Sequence, residues 1–112
     1  MSDLTPLVEL PQLTSLSLWY CHSVRDLSPL AKLTQLTTLN LSTCRQVSDL
    51  SPLAGLHQLG TLSLSWCKQV GDLSPLAGLT QLTTLDLRGN GRKLRAARLR
   101  AMAGLPQLTI AR

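Results

Sequence analysis

The side chains with the most chemistry to offer recur at one interval. Cys21, Cys44 and Cys67 stand 23 residues apart, and three thiols held in a row are raw material for a metal site. The spacing argues against one. Zinc centres draw four ligands, and their cysteines come in pairs separated by two to four residues. Neither condition is met, so no metal is expected. An odd number of cysteines at this interval is not a disulfide framework either. It fits a reducing compartment, with each thiol buried as a small hydrophobe in the turn after a strand. The histidines add no catalytic pairing: His22 follows Cys21, and His57 sits in a turn whose register does not face it, so neither a Cys–His nor a Ser–His–Asp arrangement forms. Gly89-Asn90-Gly91 is a turn rather than a phosphate-cradling loop. The chain is therefore expected to be no enzyme and to need no cofactor.

Trp19, Tyr20 and Trp66 are all the aromatic residues of the chain, and each falls one or two positions before a cysteine. The apolar pattern gives them no place in a leucine core. Tryptophan and tyrosine are the types most enriched in binding hot spots. The plainer alternative is packing against flanking loops, since isolated surface aromatics are ordinary.

These residues are positioned by a repeated stretch. LTSLSLWYC (13–21), LTTLNLSTC (36–44), LGTLSLSWC (59–67) and LTTLDLRGN (82–90) share one frame, each copy 23 residues after the last. From Thr38 to Ser42 polar and apolar residues alternate, the pattern of a strand with one buried face. An unbroken period of this length signals a repeat architecture, and residues 26–48 and 49–71 agree at 16 of 23 positions. Between strands, Ser28-Pro29, Ser51-Pro52 and Ser74-Pro75 read as an N-cap followed by proline at the first helical position. The few residues after them allow a single 3₁₀ turn. Gln12, Gln35, Gln58 and Gln81 keep the same interval and read as a side-chain amide ladder.

Stacked units place the strands parallel on one face. The strand residues facing solvent are then Ser15, Ser17 and Trp19; Thr38, Asn40 and Ser42; Thr61, Ser63 and Ser65; Thr84, Asp86 and Arg88. Twenty-eight of the 112 residues are leucine and none is phenylalanine, a composition suited to identical layers rather than to a mixed globular core.

The frame resembles the leucine-rich-repeat family, L-x-x-L-x-L-x-x-N/C-x-L, from Asp3 to about Asn90. The convex segments DLSPLAKL (26–33) and DLSPLAGL (49–56 and 72–79) are similar to the short-repeat, bacterial internalin-like branch, with Cys where that branch has Asn and Val three residues on. The resemblance implies an α/β right-handed solenoid: a parallel concave sheet, 3₁₀ turns on the convex side and a C-terminal α-helix. It also implies a protein-interaction module that meets its partner with the concave face and rim. The expected contacts are Trp19, Tyr20, Asn40, Trp66, Asp86 and Arg88.

A single domain is expected over 1–112, with repeats at 3–25, 26–48, 49–71 and 72–90 and a helical cap at 91–112. The first repeat begins at its convex half, so Leu4, Leu7, Leu10, Leu13, Leu16 and Leu18 are expected to lack a neighbour on their outer side, which favours truncation, self-association or a structural scaffold fragment whose ends stack on further repeats. In the last segment RKLRAARLRAMA reads as helix, stopped by Gly104 and Pro106. Leu108-Thr109-Ile110 starts a fifth strand, and LPQL (105–108) repeats LTQL (79–82) after 26 residues. Charge divides unevenly. Residues 1–87 hold four basic and six acidic side chains; residues 88–112 hold seven basic and no acidic ones. Arg92, Lys93, Arg95, Arg98 and Arg100 are thus either a solvated face of the cap or a footprint for an anionic partner: nucleic acid, an acidic protein or a membrane surface. No stretch is long and apolar enough to span a bilayer, and the N-terminus lacks the basic and apolar regions of a signal peptide, which points to a cytoplasmic protein.

Overall fold

The computed structural model describes residues 4–21, 23–90 and 109–111. Two leucine intervals generate each coil. Leu27, Leu30, Leu33 and Leu36 are three apart, and the N–H groups of the last three each donate to the carbonyl of the leucine before at 2.8–3.0 Å. Three residues per turn is the 3₁₀ period, so all four eclipse one another and face one way. From Leu39 to Leu41 the interval becomes two, and the chain extends into a strand. The same switch recurs in the coils on either side. Among the described residues this gives four 3₁₀ helices, η1 (Thr5–Glu9), η2 (Ser28–Lys32), η3 (Ser51–Gly55) and η4 (Ser74–Leu76), and five strands, β1 (Ser15–Ser17), β2 (Thr38–Asn40), β3 (Thr61–Ser63), β4 (Thr84–Asp86) and β5 (Thr109–Ala111).

The strands form one parallel sheet in sequence order. Ser15 lies opposite Thr38, Thr38 opposite Thr61 and Thr61 opposite Thr84, so the sequence period is also the sheet register. The last pairing departs from it: Thr84 meets Thr109 and Leu85 meets Ile110. That is an offset of 25, not the 26 of the leucine echo. An offset of 26 would put Ala111 opposite Leu85, and a one-residue slip exchanges the two faces of a strand. Register follows the apolar alternation rather than the longer echo.

Each strand is three residues long, shorter than the alternation predicts. Inter-repeat hydrogen bonds nevertheless continue beyond it: Leu41 N–H donates to Ser63 O at 2.9 Å and Thr43 N–H to Ser65 O at 2.8 Å. Ladder pairing outlasts regular strand geometry because the chain is already turning.

The core is a set of leucine columns. Leu27, Leu30, Leu33, Leu36, Leu39, Leu41, Cys44 and Val47 are buried, as are their counterparts from Leu50 to Val70 and from Leu73 to Leu87. Each fully buried leucine contributes about 1.5–3 kcal/mol, and the gain requires a second layer to bury it against. In the first coil Leu4 and Leu18 are buried because they join the core of the second coil. Leu7, Leu13 and Leu16 are half-buried; Leu10 is 51% exposed.

The convex turns are capped differently from expectation. Leu27, Leu50 and Leu73 hold the N-cap positions and make no side-chain cap, and Ser28, Ser51 and Ser74 fall at the first helical position. Instead Asp26, Asp49 and Asp72 accept the serine N–H two residues on, each at 2.9 Å. A carboxylate reaches the amide two positions ahead without help from a helix, the Asx-turn geometry. The glutamine ladder is also absent: Gln12, Gln35, Gln58 and Gln81 are exposed, and no hydrogen bond joins one to the next. No helix among the described residues is long and apolar enough to cross a membrane. The expected C-terminal helix lies outside the described residues.

Candidate functional site

The rim after each strand is built on a strained backbone position. Tyr20, Thr43 and Trp66 adopt φ of 66°, 62° and 59°, and Gly89 has φ of 83° in the fourth copy. Left-handed geometry costs a non-glycine residue roughly 1–2 kcal/mol. It is held by the next coil: Tyr20, Thr43 and Trp66 donate their N–H groups to Ser42 O, Ser65 O and Arg88 O at 2.8–2.9 Å. This bend sends the next residue, a cysteine or Asn90, into the core and pushes its own side chain outward.

The aromatics occupy this rim. Trp19, Tyr20 and Trp66 are 63%, 53% and 52% exposed. Trp19 and Tyr20 touch, with ring centroids 5.4 Å apart and planes tilted by 44°. Trp66 lies against the Gly89 backbone, where a Cβ would fall 2.3–2.7 Å from three indole atoms. The Lys68 ammonium lies over the same ring, 5.2 Å from its centroid, a cation–π contact.

Below the rim the sheet face is polar and internally bonded. Ser42 Oγ lies 2.7 Å from Ser63 Oγ and accepts from Ser65 Oγ at 2.9 Å. This network buries Ser65, which the alternation places in solvent. Asn40 Oδ1 accepts Ser42 N–H at 2.8 Å. Asp86 and Arg88 form a two-pronged ion pair, Nε to Oδ1 at 3.0 Å and an Nη to Oδ2 at 2.7 Å. The guanidinium's hydrogen bonds hold the Asp86 carboxyl below its ordinary range, and Asp86 in turn raises Arg88.

Behind the rim runs the thiol column. Cys44 Sγ donates to Leu18 O at 3.0 Å and Cys67 Sγ to Leu41 O at 2.8 Å. Asn90 continues the series, its amide nitrogen donating to Leu64 O at 2.8 Å and to Leu87 O at 3.0 Å. Cys21 is half-buried and, among the described residues, reaches only Trp19 O, at 3.9 Å. Burial raises the Cys44 thiol and pushes Cys67 up to about 11, so both stay protonated and serve as donors. Among the described residues no group of three His, Cys, Asp or Glu side chains is placed to hold a metal ion.

The family description "Leucine Rich repeats (2 copies)" matches residues 11–55. An internalin (inlF) from Listeria monocytogenes superposes with a TM-score of 0.78 at 31% identity, over 98% of this chain and 37% of that one. The chain is a leucine-rich-repeat protein. An internalin C2 (inlC2) from the same organism superposes at a TM-score of 0.59 and 29% identity, over 97% of this chain and 55% of that one. This leucine-rich-repeat chain thus spans about a third and about half of those two internalins. No curated protein sequence matches it.

The leucine-rich-repeat frame admits Asn or Cys at one position, and the thiol column gives the reason. Either residue supplies a donor to the same carbonyl, 26 residues back, in the preceding coil. Of the residues expected as contacts, Trp19 and Tyr20 are brought together, and Asp86 and Arg88 are paired with each other. The Asn40 side chain is tied to its own turn, and its carbonyl accepts the N–H of Leu18, the residue before Trp19, at 2.8 Å. Sequence reasoning missed Lys68, Gly89 and the left-handed column. The signal was present: Tyr20, Thr43, Trp66 and Gly89 share one repeat position, and a glycine in one copy marks a φ that the others must also adopt. His57 is exposed in the turn after η3. His22 and the basic residues Arg92, Lys93, Arg95, Arg98 and Arg100 lie outside the described residues.

Proposed function

We propose that this leucine-rich-repeat protein is a non-enzymatic binding module that meets a protein partner through the concave face and the aromatic rim. Leucine-rich repeats and other solenoids use their extended curved surface for binding. One observation carries the reading. Three large aromatics are held half or more exposed, two of them (Tyr20 and Trp66) on a backbone turn that costs stability, where small polar residues would satisfy the fold. Trp19, Tyr20 and Trp66 form the anchor set, with Asn40, Asp86 and Arg88 beside them on the sheet. The domain spans 1–112, and the free thiols at Cys44 and Cys67 favour a reducing, cytoplasmic setting.

The test is capture of partners by the intact chain against a Trp19→Ser, Tyr20→Ser, Trp66→Ser variant with matched circular dichroism. Proteins retained by the first and lost by the second support the reading. Retention by both refutes it. Loss only on replacing Arg92, Lys93, Arg95, Arg98 and Arg100 with serine, with affinity falling steeply in salt, assigns binding to the basic segment instead. Sedimentation of the isolated chain checks for self-association through the exposed apolar residues Val8 and Leu10 of the first coil.

A further inference from the structure

We infer that the aromatic rim takes an acidic protein segment; the inference rests on the binding role proposed above and adds the partner's chemistry. The rim carries cations as well as rings. Arg45 and Lys68 follow Cys44 and Cys67 by one residue, so Lys68 shares the turn of Trp66 and Arg45 stands in the equivalent turn one coil earlier, between the two aromatic turns. Both are exposed, and neither has a carboxylate partner among the described residues. Across three coils the rim therefore reads Trp19 and Tyr20, then Arg45, then Trp66 and Lys68. The nearest acids in sequence, Asp26, Asp49 and Asp72, lie beyond the buried valines and turn their carboxylates onto serine amides.

Cations interleaved with aromatics also suit single-stranded nucleic acid, where bases stack on open ring faces. The rings here are arranged otherwise. Trp66 has its ring against Gly89 and under Lys68, and Trp19 and Tyr20 lean on each other at 44° instead of forming a flat platform. The Trp66 face on which a base would stack is shared with the Lys68 ammonium, and ring edges carry the positive part of the aromatic quadrupole, which complements carboxylates as the two cations do. Cations and tilted rings together fit glutamate and aspartate side chains better than stacked bases.

The test uses the full chain with Trp19→Phe, which leaves Trp66 as the single tryptophan reporter. A glutamate-rich peptide is titrated while Trp66 emission is followed. A saturable change is expected, with affinity at least tenfold weaker in Arg45→Glu, Lys68→Glu and little altered in Arg92→Glu, Lys93→Glu. No response of Trp66, or equal affinity in the rim charge reversal, overturns the inference. So does a thymidine oligonucleotide that binds Trp66 more tightly than the peptide. If captured partners are lost in the aromatic variant but kept by Arg45→Glu, Lys68→Glu, the rim binds and the acidic chemistry is wrong; if both variants keep them, the binding role itself fails.

Discussion

The indole of Trp66 rests on the backbone of Gly89, the residue at the same position one coil later. The contact exists because position 89 has no side chain: a Cβ there would lie 2.3 Å from the nearest ring atom. Gly89→Ala should therefore displace the ring and add left-handed strain, a combined loss of about 2–3 kcal/mol. Denaturant unfolding measures the loss, and a red shift of Trp66 emission in a Trp19→Phe background reports the displacement. Unchanged emission would mean that the ring does not depend on the glycine.

The buried thiols set a pH limit. Cys67 is raised to about 11, so the folded chain keeps a proton that the unfolded chain gives up near pH 9. Its contribution is complete below that pH and is lost as pH climbs from about 9 to 11, on the order of 2 kcal/mol. Stability measured across this interval should fall with pH, and Cys67→Ala should flatten the fall. In the native chain a thiol reagent at pH 8 should modify Cys21 first, with Cys44 and Cys67 reacting after denaturation.

Asn90 fills the cysteine position with two donated hydrogen bonds where Cys67 Sγ makes one. Cys67→Asn should stay within about 1 kcal/mol of the parent, whereas Cys67→Ala should lose roughly 1–3 kcal/mol by removing both the donor and buried volume. Thermal melts of the two variants compare them directly.

Much of this fold is written in the leucines. Their 23-residue recurrence is the register of four of the strands, and the change from intervals of three to two marks where 3₁₀ coil becomes strand. What escapes the pattern is set by backbone geometry or by contacts between coils. Ser65 is buried by hydroxyls from another repeat, and the convex turns are capped by aspartate because the amide within its reach is two residues ahead. At the rim the sequence shows three aromatics outright, and the left-handed bend beneath two of them only through the glycine of the fourth copy. It does not show that Asp86 and Arg88 spend their charge on each other.

The threonine column at the start of each strand has one gap. Thr37 Oγ1 donates to Thr14 O at 3.1 Å and Thr83 Oγ1 to Gly60 O at 3.2 Å, but Gly60 has no hydroxyl to offer Thr37 O. A Cβ at Gly60 would meet nothing closer than 3.6 Å. Gly60→Thr should restore the missing bond and restrict the unfolded chain, raising stability by about 1 kcal/mol. A higher melting temperature confirms it; a lower one would show that the coils cannot accommodate the branch.

The aspartate caps make the opposite end of the pH scale informative. Hydrogen bonds from the Ser51 hydroxyl and N–H hold Asp49 below the usual carboxylate range, against weak repulsion from Asp26 and Asp72. A depressed carboxylate stabilises the fold above its unfolded value, and that contribution disappears as pH falls through its folded value. Melting temperature should therefore drop on acidification below about pH 4. Asp49→Asn keeps a side-chain oxygen for the Ser51 amide and has no proton to gain, so it should melt close to the parent at pH 7 and change less in acid. Asp49→Ala removes the acceptor and should melt lower than both at neutral pH. If alanine and asparagine behave alike, the turn is held by the leucines and the carboxylate is incidental.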